Sequence, residues 1–179
     1  VGDNAAKFIQ ANVKGDVNVA RVDFDDQLPD QSHARWGGFY SGLDGAGVKY
    51  KEVAKTSAHA QDTALAATTD MLTAHPEINV IFACNEGGTI GAAVAVKQAG
   101  KAGKVFVFGY DGSDQLTSMI LSGDNILQGT VAQDPYTQGY KAVESLALAL
   151  QGKPVPDAGK MTIVPGTYLG ATDPAGVNT

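Results

Sequence analysis

The stretch Val80 to Gly91, VIFACNEGGTIG, restricts the fold of this chain more than any other. Four apolar residues, Val80 to Ala83, stop at Cys84, Asn85 and Glu86, and a glycine pair then opens a stretch whose apolar spacing is helical. That is a strand running into a helix through a polar turn. In an open parallel sheet such turns lie at the carboxyl ends of the strands, where ligands bind, so Asn85 is placed to meet a small molecule.

The same unit recurs along the chain. A helix capped by Asp3 or Asn4 carries Ala5, Ala6, Phe8 and Ile9 and closes near Gly15, and a strand follows over Val17 to Val22. DFDDQLPD reads as its loop, and from Ser32 the residues Ala34, Trp36, Phe39, Tyr40 and Leu43 form a helical stripe that ends at Gly45 or Gly47. Val48 to Val53 alternates as a strand and KTSAHAQD follows as loop. A helix then runs from Asp62 to His75, where Pro76 disfavours helical geometry in its predecessor. After the central strand come a helix over Thr89 to Ala99, a strand over Lys104 to Gly109, a helix capped by Ser113 and ended by Gly123, and a strand over Ile126 to Val131. Asp134 and Pro135 start a helix that closes at Gly152. Pro154 and Pro156 form a linker, Met161 to Val164 reads as a last strand, and the tail from Thr172 reads as loose. Strand, polar turn and helix repeat at a spacing of ~30 residues, the size of a βαβ unit. The fold class is α/β, a doubly wound, mainly parallel sheet flanked by helices.

Four polar residues follow the carboxyl ends of strands: Arg35, Asn85, Asp111 and Gln133. Together they supply one fixed cation, one anion and two amides that both donate and accept. This inventory suits a neutral polyol whose every hydroxyl does both, and a sugar is the natural guest. Taken singly, Asp111 reads equally as a turn residue, Asn85 as a helix cap and Arg35 as a solvated helix residue.

The segments SHARWGGF, LTAHPEINVIFACNEGGTIGAAVAVKQAG, VFVFGYDGS and ILQGTVAQDPYTQGYKAVESL closely resemble the type I periplasmic sugar-binding proteins, the ribose-binding-like solute receptors of ABC transporters. The resemblance covers nearly the whole chain, in family order. It implies that Arg35, Asn85, Asp111 and Gln133 contact a monosaccharide, with an ABC permease, and in some cases a chemoreceptor, as partner. It also implies a periplasmic or lipid-anchored extracellular location. Such receptors have two lobes with the sugar between them, and most of the first is built from ~100 residues that would precede Val1. Residues 1–133 then correspond to the second lobe, and residues 134–179 to a helix and strand returning toward the largely absent first lobe, plus a tail. The uncovered cleft face leads us to expect self-association. At Ala60 the ribose receptors place an aromatic ring, for which Tyr110 or Trp36 is the available substitute here.

Two other functions are weighed: the effector-binding domain of a LacI-type repressor, and a small doubly wound enzyme acting on a phosphorylated substrate at Gly87 and Gly88. The first requires a DNA-binding headpiece upstream, and the second lacks the G-x-G-x-x-G or Gly-Lys-Ser/Thr spacing and a nameable acid/base pair. The expectation is therefore a binding protein with no catalytic residues, cofactor or metal, since His33, His59 and His75 have no ligand spacing. A net charge of -6 without a basic cluster argues against nucleic acid. No apolar stretch reaches the roughly 20 residues of a membrane span, and Val1, Gly2, Asp3 and Asn4 offer no basic leader region. Cys84, the single cysteine, forms no intramolecular disulfide and is expected to be a buried, inert thiol.

Overall fold

The computed structural model describes residues 1–177. Its elements run α1 (Gly2–Asn12), β1 (Val17–Asp23), α2 (Pro29–Gly45), β2 (Tyr50–Ser57), α3 (Gln61–Ala74), β3 (Val80–Ala83), α4 (Glu86–Gln98), β4 (Phe106–Phe108), α5 (Asp114–Leu121), β5 (Leu127–Ala132), α6 (Pro135–Leu150), β6 (Thr167–Gly170) and α7 (Pro174–Val177). Six strands form one sheet in the order β2-β1-β3-β4-β5-β6. The first five pair in parallel, and β6 closes the edge antiparallel to β5. This is the doubly wound α/β arrangement anticipated from the repeating units.

Side chains on the central strands alternate between two cores. Val19, Val80, Phe82, Phe106 and Phe108 point to the face covered by α1 and α2, where Phe39 stacks on Phe82 with ring centroids 4.4 Å apart. Ala20, Val22, Ile81, Ala83 and Val107 point to the face covered by α3, α4 and α5. Burial on both faces explains the near-continuous apolar runs of β3 and β4.

Several boundaries differ from the sequence reading. Helix α1 has Val1 at its N-cap, with no side-chain cap bond from Asp3 or Asn4, and α4 begins at Glu86 rather than Thr89, directly after the Asn85 cap. Helix α2 begins at Pro29 rather than Ser32, because proline's missing N–H costs nothing in a helix's first turn. Strand β2 runs to Ser57, through residues read as loop; it is an edge strand, so exposed Lys51, Glu52 and Lys55 fit a ladder with one side in water. The last strand lies at Thr167–Gly170, not at Met161 to Val164. Met161 and Ile163 are 89% and 79% exposed, and Pro165, which has no N–H to donate, falls between them and the ladder. Of the tail, Pro174–Val177 forms α7 with Val177 buried against the α3–α5 core, while Asn178 and Thr179 lie outside the described residues.

Candidate functional site

Of the four predicted residues, Arg35, Asp111 and Gln133 form one connected array. Arg35 sits in the second turn of α2 with its side chain only 10% exposed. Its Nη1 donates to the Cys84 carbonyl at 2.8 Å and lies 3.9 Å from Asp111 Oδ2. The guanidinium carbon lies 4.0 Å from the Tyr110 ring centroid and 5.4 Å from that of Phe24. A guanidinium lying against an aromatic ring keeps its edge, where its donors are, free for hydrogen bonds.

Asp111 adopts a left-handed backbone conformation with φ 76°. Asp is among the few residues that tolerate this region, and the Asp111 N–H donates to the Val131 carbonyl at 2.9 Å, tying the turn to β5. The carboxylate accepts from Gln133 Nε2 at 2.5 Å on one oxygen and from the Glu86 N–H at 3.1 Å on the other. Gln133, just beyond β5, is exposed.

Asn85 stands one step aside. It is the N-cap of α4: its Oδ1 accepts from the Gly88 N–H at 3.1 Å, and its Nδ2 donates to the His59 carbonyl at 2.8 Å. The capping role and the site role therefore coincide in position, and one amide proton and one lone pair remain for a ligand. Asp111 and Asn85 between them occupy the N–H groups of Glu86 and Gly88, which a phosphate at this helix end would need. Gly87 and Gly91 serve packing instead. A Cβ on Gly87 would lie 2.3 Å from the His59 carbonyl oxygen, and one on Gly91 would lie 2.5 Å from that of Gln61.

A cavity of about 560 Å³ is lined by Arg35, Tyr110 and Gln133 together with Met161 and Ile163, while Asp111 and Asn85 do not line it. Its size suits a small molecule. Ala60 lies at the start of α3, and neither aromatic substitute is unengaged: Tyr110 has Arg35 against its ring and Trp36 has Arg21. Sequence reasoning missed that pairing of Tyr110 with Arg35, and the carbonyls of Cys84 and His59; only the position of Tyr110 beside Asp111 hinted at it. Burial, with the Asp23 charge adding to it, pushes the Cys84 thiol up to about 12, so it stays neutral at physiological pH. Among the described residues no cluster of His, Cys, Asp and Glu is suited to a metal ion, and no helix is long and apolar enough to cross a membrane.

The periplasmic binding protein domain family matches residues 1–154. The ribose import binding protein of Bacillus subtilis (strain 168) is 32% identical over 157 residues, 86% of this chain and 48% of that protein. The D-allose-binding periplasmic protein of Escherichia coli (strain K12) is 36% identical over 94 residues, 52% of this chain and 30% of that protein. A solved structure of an ABC transporter periplasmic solute binding protein from Actinobacillus succinogenes 130z, with bound D-allose, aligns with a TM-score of 0.82 at 32% identity. It covers 97% of this chain and 59% of that one. The chain spans about half the length of the Bacillus relative.

Proposed function

The chain belongs to the periplasmic binding protein domain family, and from that premise we propose that it is the sugar-binding lobe of a solute receptor that serves an ABC importer. The observation that carries this reading is the Arg35–Asp111–Gln133 array, a cation, an anion and an amide within reach of one ligand. The charges balance, and the α4 N-terminus is already taken by Asp111 and Asn85, so the fitting guest is neutral: a monosaccharide rather than a phosphate ester. Arg35 and Asp111 supply charge-assisted bonds to hydroxyls, and Asn85 and Gln133 select among hydroxyl orientations. The ribose and allose named for the relatives are the first sugars to try. Those names favour an importer component over a repressor's effector domain or an enzyme.

The unmatched half of the relatives' length supplies, in this proposal, the opposite wall of the cleft, and residues 134–166 lean toward it. Tyr140, Val143, Leu150, Met161 and Ile163 are exposed there, an apolar face that needs cover. Closure of two walls over the sugar is the state a permease, or a chemoreceptor, would recognise, on the outer side of the cytoplasmic membrane. Where no second lobe covers that face, it pairs copies of the chain, which sedimentation reports.

Isothermal titration of the full-length protein that carries this chain, against D-ribose, D-allose and D-glucose, tests the reading. Arg35→Ala and Asp111→Ala are each expected to weaken binding on the order of 100-fold, the loss of a charge-assisted bond together with an uncompensated partner. Absence of binding to any sugar, or variants indistinguishable from wild type, would sink it.

A further inference from the structure

One buried cation lies outside the cleft. Arg21, on β1, has a side chain only 5% exposed, surrounded by three carboxylates: Nε is 3.3 Å from Glu52 Oε2 and 3.6 Å from Asp23 Oδ2, and Nη1 is 3.9 Å from Asp25 Oδ2. None of these contacts is a directed hydrogen bond, and Nε and Nη1 have no acceptor. What seats the guanidinium is Trp36, the chain's single tryptophan, whose ring centroid is 4.3 Å from the guanidinium carbon. Trp36 is fixed in turn, with Nε1 donating to Asp25 Oδ1 at 3.3 Å and His33 packed edge-on at 5.1 Å. His33 Nε2 lies 3.4 Å from Asp25 Oδ2, and Ser32 Oγ accepts from the Phe24 N–H at 3.2 Å.

These contacts share one result. Ser32, His33 and Trp36 flank Arg35 on α2, and each ties that turn of the helix to the end of β1 or the loop after it. Replacing a buried ion cluster by packed apolar residues is often neutral or stabilising, and its best-attested use is to fix register. Register matters at Arg35. With its guanidinium roughly 8 Å from the helix axis, a turn of about 10° in α2 moves the guanidinium by over ~1 Å, enough to break the bond to the Cys84 carbonyl.

We infer that Arg21 is a positioning residue for Arg35, acting through Trp36: the buried guanidinium and its carboxylates hold α2 at the rotation that aims Arg35 at Cys84 and Asp111. The inference rests on the reading of Arg35 as a ligand contact, and its test needs no ligand. In the full-length protein with ¹⁵N-arginine and ¹⁵N-tryptophan, NMR follows solvent exchange of the assigned Arg35 Nε–H and of the assigned Trp36 indole N–H. Arg21→Gln, verified as folded by circular dichroism, is expected to exchange roughly tenfold faster at both the Arg35 Nε–H and the Trp36 indole N–H. Arg21→Lys should not rescue, because an ammonium has no plane to lie on the ring.

Unchanged exchange at Arg35 in folded Arg21→Gln, or full rescue by Arg21→Lys, overturns the inference. If Arg21→Gln does not fold, Trp36→Leu removes the ring, leaves the ion cluster, and is read by the same exchange measurement with the same two outcomes. Sugar titration of Arg35→Ala reports separately on the ligand contact, so the two readings fail independently.

Discussion

Helices α4 and α6 are comparably apolar and each is capped by a side chain, Asn85 and Asp134 respectively, yet they meet opposite environments. Along α4 the residues Gly88 to Ala93, Ala95 and Val96 are buried, and its Thr89 hydroxyl donates to the Asn85 carbonyl and accepts from the Tyr110 N–H. Helix α6 has no buried residue, and Tyr136, Tyr140, Val143, Leu146 and Leu150 are exposed. The difference lies in side-chain size. Gly87, Gly91, Ala92, Ala93 and Ala95 let α4 approach α3 and the sheet at backbone distance, and these cover it. The large side chains of α6 recur at spacings of four and three and form an exposed apolar seam. Apolar content alone therefore does not say where a helix is buried; the size of the apolar residues does.

The comparison breaks most readily at Gly91. A Cβ there would lie 2.5 Å from the Gln61 carbonyl oxygen and 2.7 Å from Ala64 Cβ, so Gly91→Val is expected to cost about 3 kcal/mol, measured by denaturant unfolding. A loss under about 1 kcal/mol would mean that α3 and α4 have slack. Gly139, inside α6, has nothing within 4 Å of an added Cβ, so Gly139→Ala should raise stability by roughly 0.5–1 kcal/mol in the same assay. The two glycine substitutions are thus expected to have opposite signs. Smaller still, Val143→Thr on the exposed face of α6 should change the chain's own stability by less than about 0.5 kcal/mol, while lowering any self-association seen by sedimentation velocity.

The smallest effect separates the two caps by pH. Hydrogen bonds from Thr137, through its side chain and its backbone N–H, hold the Asp134 carboxyl below its ordinary value of 3.8. A depressed folded value means that the cap is fully effective above pH 3.8 and is lost as pH falls through the lowered value. Asn85 does not titrate. Amide exchange at pH below 3.8 should show the first turn of α6 loosening before that of α4, and Asp134→Asn should abolish the difference.

Much of this was legible before any coordinates. The apolar runs at Val80–Ala83 and Phe106–Phe108 identified buried parallel strands, and glycine and proline placed most helix ends, because those signals are local. Strand β2 was read short because an edge strand tolerates the polar residues of a loop. The apolar residues Met161 and Ile163 imitated a strand, since sequence pattern does not distinguish apolar residues in a ladder from apolar residues left exposed. The same limit applied to Arg35, Asn85, Asp111 and Gln133. Their strand-end positions and the Asn85 cap on α4 were readable, but the salt bridge and the left-handed Asp111 are long-range or conformational facts. The seat of Arg21 on Trp36 was invisible for the same reason: the two residues lie fifteen apart, on different elements.

The strand order β2-β1-β3-β4-β5-β6 also bears on how the chain is assembled as it is synthesised. Once β1 and β2 have paired, every later strand joins the sheet at one growing edge, and none has to be inserted between two strands already hydrogen-bonded. Each strand leaving the ribosome finds its neighbour in place, with loops of one βαβ unit to close. A chain released after Ala132 would hold five of its six strands in final order.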